Sequence, residues 1–230
     1  MPGKPDHYAQ IVAPYHRSRP RYPPELIGWL SATCGLAPAQ IVADIGAGTG
    51  QLSELLLEHG NRVVAVEPNA EMRQMALQHL GSYATFAAVD GTAEATTLAD
   101  HSVDLIVVGN AFHWFDHVEA RRAFARILTP DGWVVLLWNL ERTTGSPFGQ
   151  AFEQFWQTHI DPAARFTKRV RPGYLDQFFG AGALNEHRLG NEQVCVLEAL
   201  KGLTATFRKA PRPDDAGYAA MLADLEALFD

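Results

Sequence analysis

Val42-Ala43-Asp44-Ile45-Gly46-Ala47-Gly48-Thr49-Gly50-Gln51-Leu52 is the stretch on which the reading of this 230-residue chain turns. A short apolar run ends in an acid, three glycines follow at alternate positions, and an amphipathic segment from Gln51 to Leu57 begins at once. The pattern predicts a strand, a tight turn and a helix. Glycine permits positive φ and lets a ligand approach the backbone without a Cβ in the way. Ligands of open α/β sheets bind beyond the carboxyl ends of the strands, so this loop is the first place to look for a site. By itself it is equally well explained as a plain strand-to-helix turn.

Outward from the loop, short apolar runs alternate with amphipathic segments. Strands are expected at Ile41 to Ile45, Arg62 to Val66, Tyr83 to Val89, Val103 to Val108 and Trp133 to Trp138. Helical spacing marks Gln51 to Leu57, Ala70 to Leu80 and Val118 to Leu128. Gly60-Asn61, Asp100-His101-Ser102 and Pro130-Asp131-Gly132 read as turns. Repeated βαβ units make an α/β fold with a doubly wound, mostly parallel sheet. This core is expected to span residues 37–140. Residues 1–36 read as an N-terminal arm and helix, rich in Pro, Arg and Tyr, and 141–182 as a helical cap; both are candidates for lids. Residues 183–230 would complete the same domain, with Leu184 to Gln193 as a sixth strand, then helices at Val196 to Gly202 and Ala216 to Phe229.

The glycine spacing separates two kinds of ligand. It is G-x-G-x-G, with Gln51 where a dinucleotide fingerprint would place its last glycine beneath a pyrophosphate. Asp44 at the strand end would repel a polyphosphate but could receive an ammonium group directly or through water. Glu67 ends the second strand about 20 residues on, where a carboxylate grips ribose hydroxyls. A cofactor with an amino acid and a ribose and no phosphate fits these positions.

Four segments carry a family resemblance. Val42 to Leu52 is similar to motif I of the class I S-adenosylmethionine-dependent methyltransferases, and Val64-Ala65-Val66-Glu67-Pro68-Asn69-Ala70-Glu71-Met72 to the segment that follows it. Val89-Asp90-Gly91-Thr92-Ala93-Glu94 resembles the third motif and Val103 to Phe115 the fourth. Ala111-Phe112-His113-Trp114-Phe115-Asp116, with Tyr15 and Arg19-Pro20-Arg21-Tyr22-Pro23, resembles the type-11 and trans-aconitate-like small-molecule methyltransferases. The resemblance implies a Rossmann-like domain and S-adenosylmethionine, leaving S-adenosylhomocysteine as product. It implies that Asp44, Gly46, Ala47, Gly48, Gly50 and Pro68 bind the cofactor, with Glu67 at the ribose hydroxyls. Met72, Gly91, Thr92 and Ala93 would lie at the adenine, and Asn110 and Ala111 would meet the methionine part. Arg19 would meet its carboxylate, or else belong to a surface-packed polyproline arm. Tyr8, Tyr15, Tyr22, His113, Trp114 and Trp138 would line the acceptor pocket. His113 is the candidate general base, or only an orienting residue, since methyl transfer often asks no more than position and desolvation. Met72, by contrast, is as readily a core residue, and the stripe Phe152, Phe155, Trp156 reads as core.

Composition narrows the partners. With 47% hydrophobic residues the chain can bury an ordinary core, and its formal charge of -7 argues against a nucleic-acid grip. The position where DNA amino-methyltransferases carry Asn/Asp-Pro-Pro-aromatic reads Asn110-Ala111-Phe112-His113. The run Lys168-Arg169-Val170-Arg171 reads as a solvated face. Cys34 and Cys195 have no metal-site spacing, no carboxylate cluster suggests magnesium, and no apolar stretch approaches a membrane span. The expectation is a cytoplasmic enzyme, monomeric or homodimeric, with no metal and no membrane or nucleic-acid partner. It would transfer a methyl group to an oxygen or nitrogen of a small molecule. The alternatives are a catalytically silent cofactor-binding relative and, further off, an NAD-linked oxidoreductase. The family's seventh strand is not evident after residue 193, and an uncovered sheet edge would invite pairing with a second copy.

Overall fold

The computed structural model describes residues 12–140, 146–160, 173–180, 182–192, 194, 196–207 and 210–229. Its elements are α1 (Val12–Ser18), α2 (Glu25–Cys34), β1 (Ile41–Ile45), α3 (Gln51–Glu58), β2 (Arg62–Val66), α4 (Ala70–Leu80) and β3 (Phe86–Val89). There follow β4 (Val103–Gly109), a 3-10 turn at Phe112–Trp114, α5 (His117–Ile127), β5 (Leu128–Leu137), α6 (Pro147–His159), α7 (Tyr174–Phe179), α8 (Leu197–Ala205) and α9 (Tyr218–Glu226). Two compact units emerge. One is built from Arg21–Asn139 and Pro172–Asn191 with the chain's first residues, the other from Ala13–Pro20, Leu140–Arg171 and Glu192–Asp230.

The first unit holds one five-stranded sheet in the order β3-β2-β1-β4-β5, every pairing parallel. In β1 the side chains of Val42, Ala43, Asp44 and Ile45 are all buried, because a central parallel strand is covered on both faces. Successive side chains serve opposite faces. Ala43, Ile45, Val66, Ile106 and Val108 pack with Ala120, Phe124 and Ile127 of α5 and Phe178 of α7. Val42, Val63, Leu105 and Val107 pack with Leu26 and Leu30 of α2, Leu52, Leu56 and Leu57 of α3, and Leu80 of α4. The Asn69 side chain caps α4 by accepting from the Met72 N–H, and Asp116 caps α5 by accepting from Val118 and Glu119.

From β1 the chain builds outward through β2 to β3, then returns to lay β4 on the other side of β1. The loops leaving β1 and β4 therefore diverge, and the crevice between them is the switch point where such sheets bind ligands. Gly46 to Gly50 leave β1 and Asn110 to Phe115 leave β4.

Three sequence expectations change. Strand β3 starts at Phe86 rather than Tyr83, since residues 83–85 form a turn closed by the Phe86 N–H on the Tyr83 carbonyl. Pro130-Asp131-Gly132 is no free turn. It lies inside β5 as an irregularity, where Leu128 to Trp133 span the same stretch of β4 as Val103 to Leu105. Gly132 suits that bulge, because a Cβ there would fall 2.8 Å from the Asp104 carbonyl oxygen. The sixth strand at Leu184 to Gln193 is absent: described residues 184–192 are exposed and carry no ladder. Leu184 and Leu189 stand five positions apart and so cannot share one strand face. The segment instead stacks His187 on Trp29 of α2, centroids 5.4 Å apart.

The second unit is helical, and its core joins Phe152, Phe155, Trp156 and Ile160 to Leu200, Leu203, Met221 and Leu225. The aromatic stripe of α6 is thus core, as its spacing suggested. Among the described residues no helix is long and apolar enough to cross a membrane.

Candidate cofactor and active site

Three glycines give the loop after β1 its path, with φ of +71° at Gly46, +58° at Gly48 and +85° at Gly50. They are not equivalent. A Cβ on Gly46 would stand 2.7 Å from Ala111 Cβ, and one on Gly50 would stand 2.6 Å from Leu80 Cδ1. These two make room for neighbouring elements. A Cβ on Gly48 would meet only Met72 Sδ, at 4.0 Å, so that glycine opens onto unfilled space. The N–H groups of Gly46 and Ala47 donate to the Val66 carbonyl at 2.8 and 3.3 Å, fixing the loop over the end of β2.

The next residue after Val66 is Glu67, 9% exposed. Its Oε2 accepts from the Gly48 N–H and its Oε1 from the Asn69 N–H, each at 2.9 Å. Burial pushes this carboxyl above its ordinary range, while the two backbone donors and the Arg73 guanidinium hold it down. Arg73 also donates to the Glu67 carbonyl at 2.6 Å and pairs with Asp90 at 3.4 Å. A carboxylate offers about four acceptor positions. With one taken on each oxygen, two remain to receive a diol.

Asp44, near the end of β1, is 1% exposed, and its Oδ2 accepts from Ser53 Oγ at 2.7 Å. Burial lifts its carboxyl to about 7; the Ser53 hydroxyl opposes the rise and the Glu67 charge adds to it. Asp44 lies in β1 just before the loop residues and is closed off from solvent, a low-dielectric setting in which its charge is little screened.

The other expected cofactor positions gather at the same end of the sheet. Met72 is 4% exposed beside Gly48, and Pro68 is exposed. Gly91 sits in a tight turn where a Cβ would lie 3.0 Å from the Ala95 carbonyl, and Thr92 and Ala95 exchange backbone hydrogen bonds at 3.2 Å. Ala93 and Ala111 are buried against Ile45 and Val66. Thr92 is exposed.

Across the crevice the chain leaves β4 through Asn110, a non-glycine residue at φ +55°. Asparagine tolerates that region better than most residues, and its side chain is tied on both sides. Nδ2 donates to the Tyr22 hydroxyl at 3.0 Å, and Oδ1 accepts from the Asn139 N–H at 3.0 Å. The Tyr22 ring packs with the α2 and α3 core, and its hydroxyl lies where a Cβ on Gly109 would be 2.3 Å away. Asn191 Nδ2 donates both to Asn139 Oδ1, at 3.0 Å, and to the Arg21 carbonyl, at 2.8 Å. His113 and Trp114 follow in the 3-10 turn, rings 4.8 Å apart, and Trp138 packs edge-on to Phe112. Tyr22, His113, Trp114 and Trp138 thus share the ends of β4 and β5 and the segment over them.

Two of the expected positions belong to the second unit and a third lies outside the described residues. Arg19 is in the second unit, its guanidinium carbon 5.1 Å from the Phe207 ring centroid. Tyr15 falls within α1, and Tyr8 lies outside the described residues. Among the described residues no group of three His, Cys, Asp or Glu side chains is placed to hold a metal. Ser53, Asn69, Arg73 and Asn191 were not foreseen, whereas Asn139, at the close of the fifth strand, is a pocket-wall candidate from the sequence. Of those not foreseen, only Ser53 carried a signal, a polar residue inside the buried Leu52, Leu56, Leu57 stripe.

A parallel sheet with a glycine loop at its switch point and a backbone-held acid after the second strand defines the class I S-adenosylmethionine-dependent methyltransferase fold. Residues 43–136 match the family model of a methyltransferase domain. An uncharacterised methyltransferase from Mycobacterium tuberculosis is 43% identical over 57% of this chain and 51% of its own length. Another, from Geobacillus kaustophilus, is 29% identical over 88% of this chain and 90% of its own. The chain spans about half the length of the Mycobacterium relatives it matches. Among solved structures, a proposed methyltransferase of an antibiotic biosynthesis pathway from Anabaena variabilis superposes with a TM-score of 0.60 at 24% identity, covering 93% of this chain and 86% of that one. That likeness bears on the fold alone.

Proposed function

We propose that this protein transfers a methyl group from S-adenosylmethionine to an oxygen or nitrogen of a small-molecule acceptor. The observation that carries the reading is the clasp between Gly48 and Glu67, which leaves the open side of Gly48 and two acceptor positions of Glu67 at one place. An amino-acid and ribose cofactor suits that arrangement, and the buried acid at Asp44 disfavours the polyphosphate of a nicotinamide dinucleotide. When bound, the cofactor supplies a methyl group already activated on a sulfonium.

The chain's own tasks are orientation and exclusion of water. Glu67 and the glycine loop orient the ribose and amino-acid parts, with Asp44 contributing charge from the end of β1. Met72, Gly91, Thr92 and Ala93 form the adenine end. His113 and Trp114, with Tyr22 and Trp138, form the acceptor side, where His113 takes a proton from acceptors that carry one. A net charge of -7 favours a small molecule over nucleic acid. A cytoplasmic monomer or homodimer is the setting we propose.

Titration calorimetry tests the cofactor: S-adenosylmethionine binds and NADH does not. Binding by NADH alone, or by neither, rejects the proposal. A labelled-methyl screen against carboxylates, phenols and heteroaromatics then identifies the acceptor. With that acceptor, His113→Ala is expected to lower turnover by about 100-fold, and unchanged turnover removes the proton-transfer role.

A further inference from the structure

Ser53 is 0% exposed, on the face of α3 that also buries Leu52, Leu56 and Leu57. A helical serine commonly turns its hydroxyl back onto the carbonyl one turn earlier. This one instead donates to Asp44 Oδ2, nine positions away at the end of β1. Asp44 is equally enclosed, and the groups that face it are Ser53 from α3 and the acid Glu67 from the end of β2. Beyond Glu67 stand Arg73 of α4 and Asp90, paired with each other. A carboxylate closed off from water beside a second acid retains its charge only as far as donors support the ionised form.

We propose that Ser53 is a positioning residue for cofactor binding: its hydroxyl orients the Asp44 carboxylate and supports the ionised form that attracts the ligand's ammonium group, so that ligand and proton compete for the same carboxylate. This rests on the S-adenosylmethionine reading above. The proton balance is simple. The Asp44 O–H bond breaks, the proton passes to solvent, and the ligand's ammonium replaces its charge. Removing the Ser53 donor destabilises the anion and leaves the neutral acid in place, so the proton is held to higher pH. The rise of Asp44 toward neutrality on burial agrees with that direction.

The test uses the whole chain and S-adenosylhomocysteine, which shares the amino-acid and ribose parts. Calorimetry in buffers of different ionisation enthalpy counts the protons released on binding. The wild type is expected to release close to one at pH 6 and close to none at pH 9. Ser53→Ala is expected to bind about 5-fold more weakly at pH 7, to release its proton over a range about one pH unit higher, and to converge on the wild type at pH 9. Ser53→Thr, which keeps the hydroxyl, restores the wild-type profile. A Ser53→Ala variant weakened equally at every pH overturns the proposal, since a merely structural role predicts that result. So does a wild type that binds at pH 6 without releasing a proton, a measurement that decides the matter even if Ser53→Ala does not fold. Absence of binding at every pH rejects the cofactor reading, and this inference with it.

Discussion

The loops after β1 and β4 border the same crevice, yet they are shaped by opposite means. The first takes three positive-φ positions and fills each with glycine, so the backbone sets its path and side chains add little. The second takes one positive-φ position and fills it with Asn110, whose amide is tied to Tyr22 and to Asn139. A backbone-made wall presents N–H groups at fixed places, which suits an invariant ligand. A wall made of side chains can be altered residue by residue, which suits a ligand that differs from one enzyme to the next.

Substitutions can break that contrast. The largest effect on the fold is expected at Gly46→Ala, which adds a contact 2.7 Å from Ala111 Cβ at a strained φ. Overpacking and left-handed strain together cost about 2–4 kcal/mol, lowering the melting midpoint by roughly 5–12 °C. Gly48→Ala separates fold from ligand. With open space at its Cβ it costs the fold about 1–2 kcal/mol, while S-adenosylhomocysteine affinity falls by more than about tenfold because the methyl enters the cofactor's space. Equal losses at Gly46 and Gly48 in calorimetry and melting would erase the distinction. On the other wall, Asn110→Ala is expected to cost about 2–3 kcal/mol in urea unfolding, for two hydrogen bonds and the unfavourable φ. Asn110→Gly should recover about 1 kcal/mol of that, the share due to the backbone. Tyr22→Phe is the smallest, at about 1 kcal/mol, with cofactor affinity unchanged. A loss of cofactor affinity in that variant would place Tyr22 on the backbone-made side.

The same contrast explains what could be read beforehand. Gly46 to Gly50, Asp44 and Glu67 lie within 24 positions and announce themselves by residue type and spacing. The sheet was legible for a related reason, since buried parallel strands carry uninterrupted apolar runs such as Leu105 to Val108. The Asn110 network links residues 88, 29 and 52 positions apart, and no local pattern reveals an asparagine whose partners are that distant. Ser53 could have been suspected, as a lone hydroxyl among buried leucines, but its partner could not. Pro130-Asp131-Gly132 has turn chemistry and became a bulge because β4 continues beside it. At Leu184 to Gln193 two leucines were too few and wrongly spaced to make a buried strand face.

The hydrogen bonds from Asn191 to Arg21 and Asn139 bear on how the chain is made as well as on how it functions. The sheet-bearing unit draws on residues up to Asn191, although its last strand ends at Leu137 and α6 of the other unit is synthesised in between. During translation the five strands can therefore emerge and pair while Arg21 and Asn139 still lack their late partner. A fragment cut after Asn139 would stay in that unfinished state. Dissecting the chain for expression, or grafting its sheet onto another protein, calls for a boundary beyond Asn191, because no single cut separates two units that the chain enters and leaves in turn.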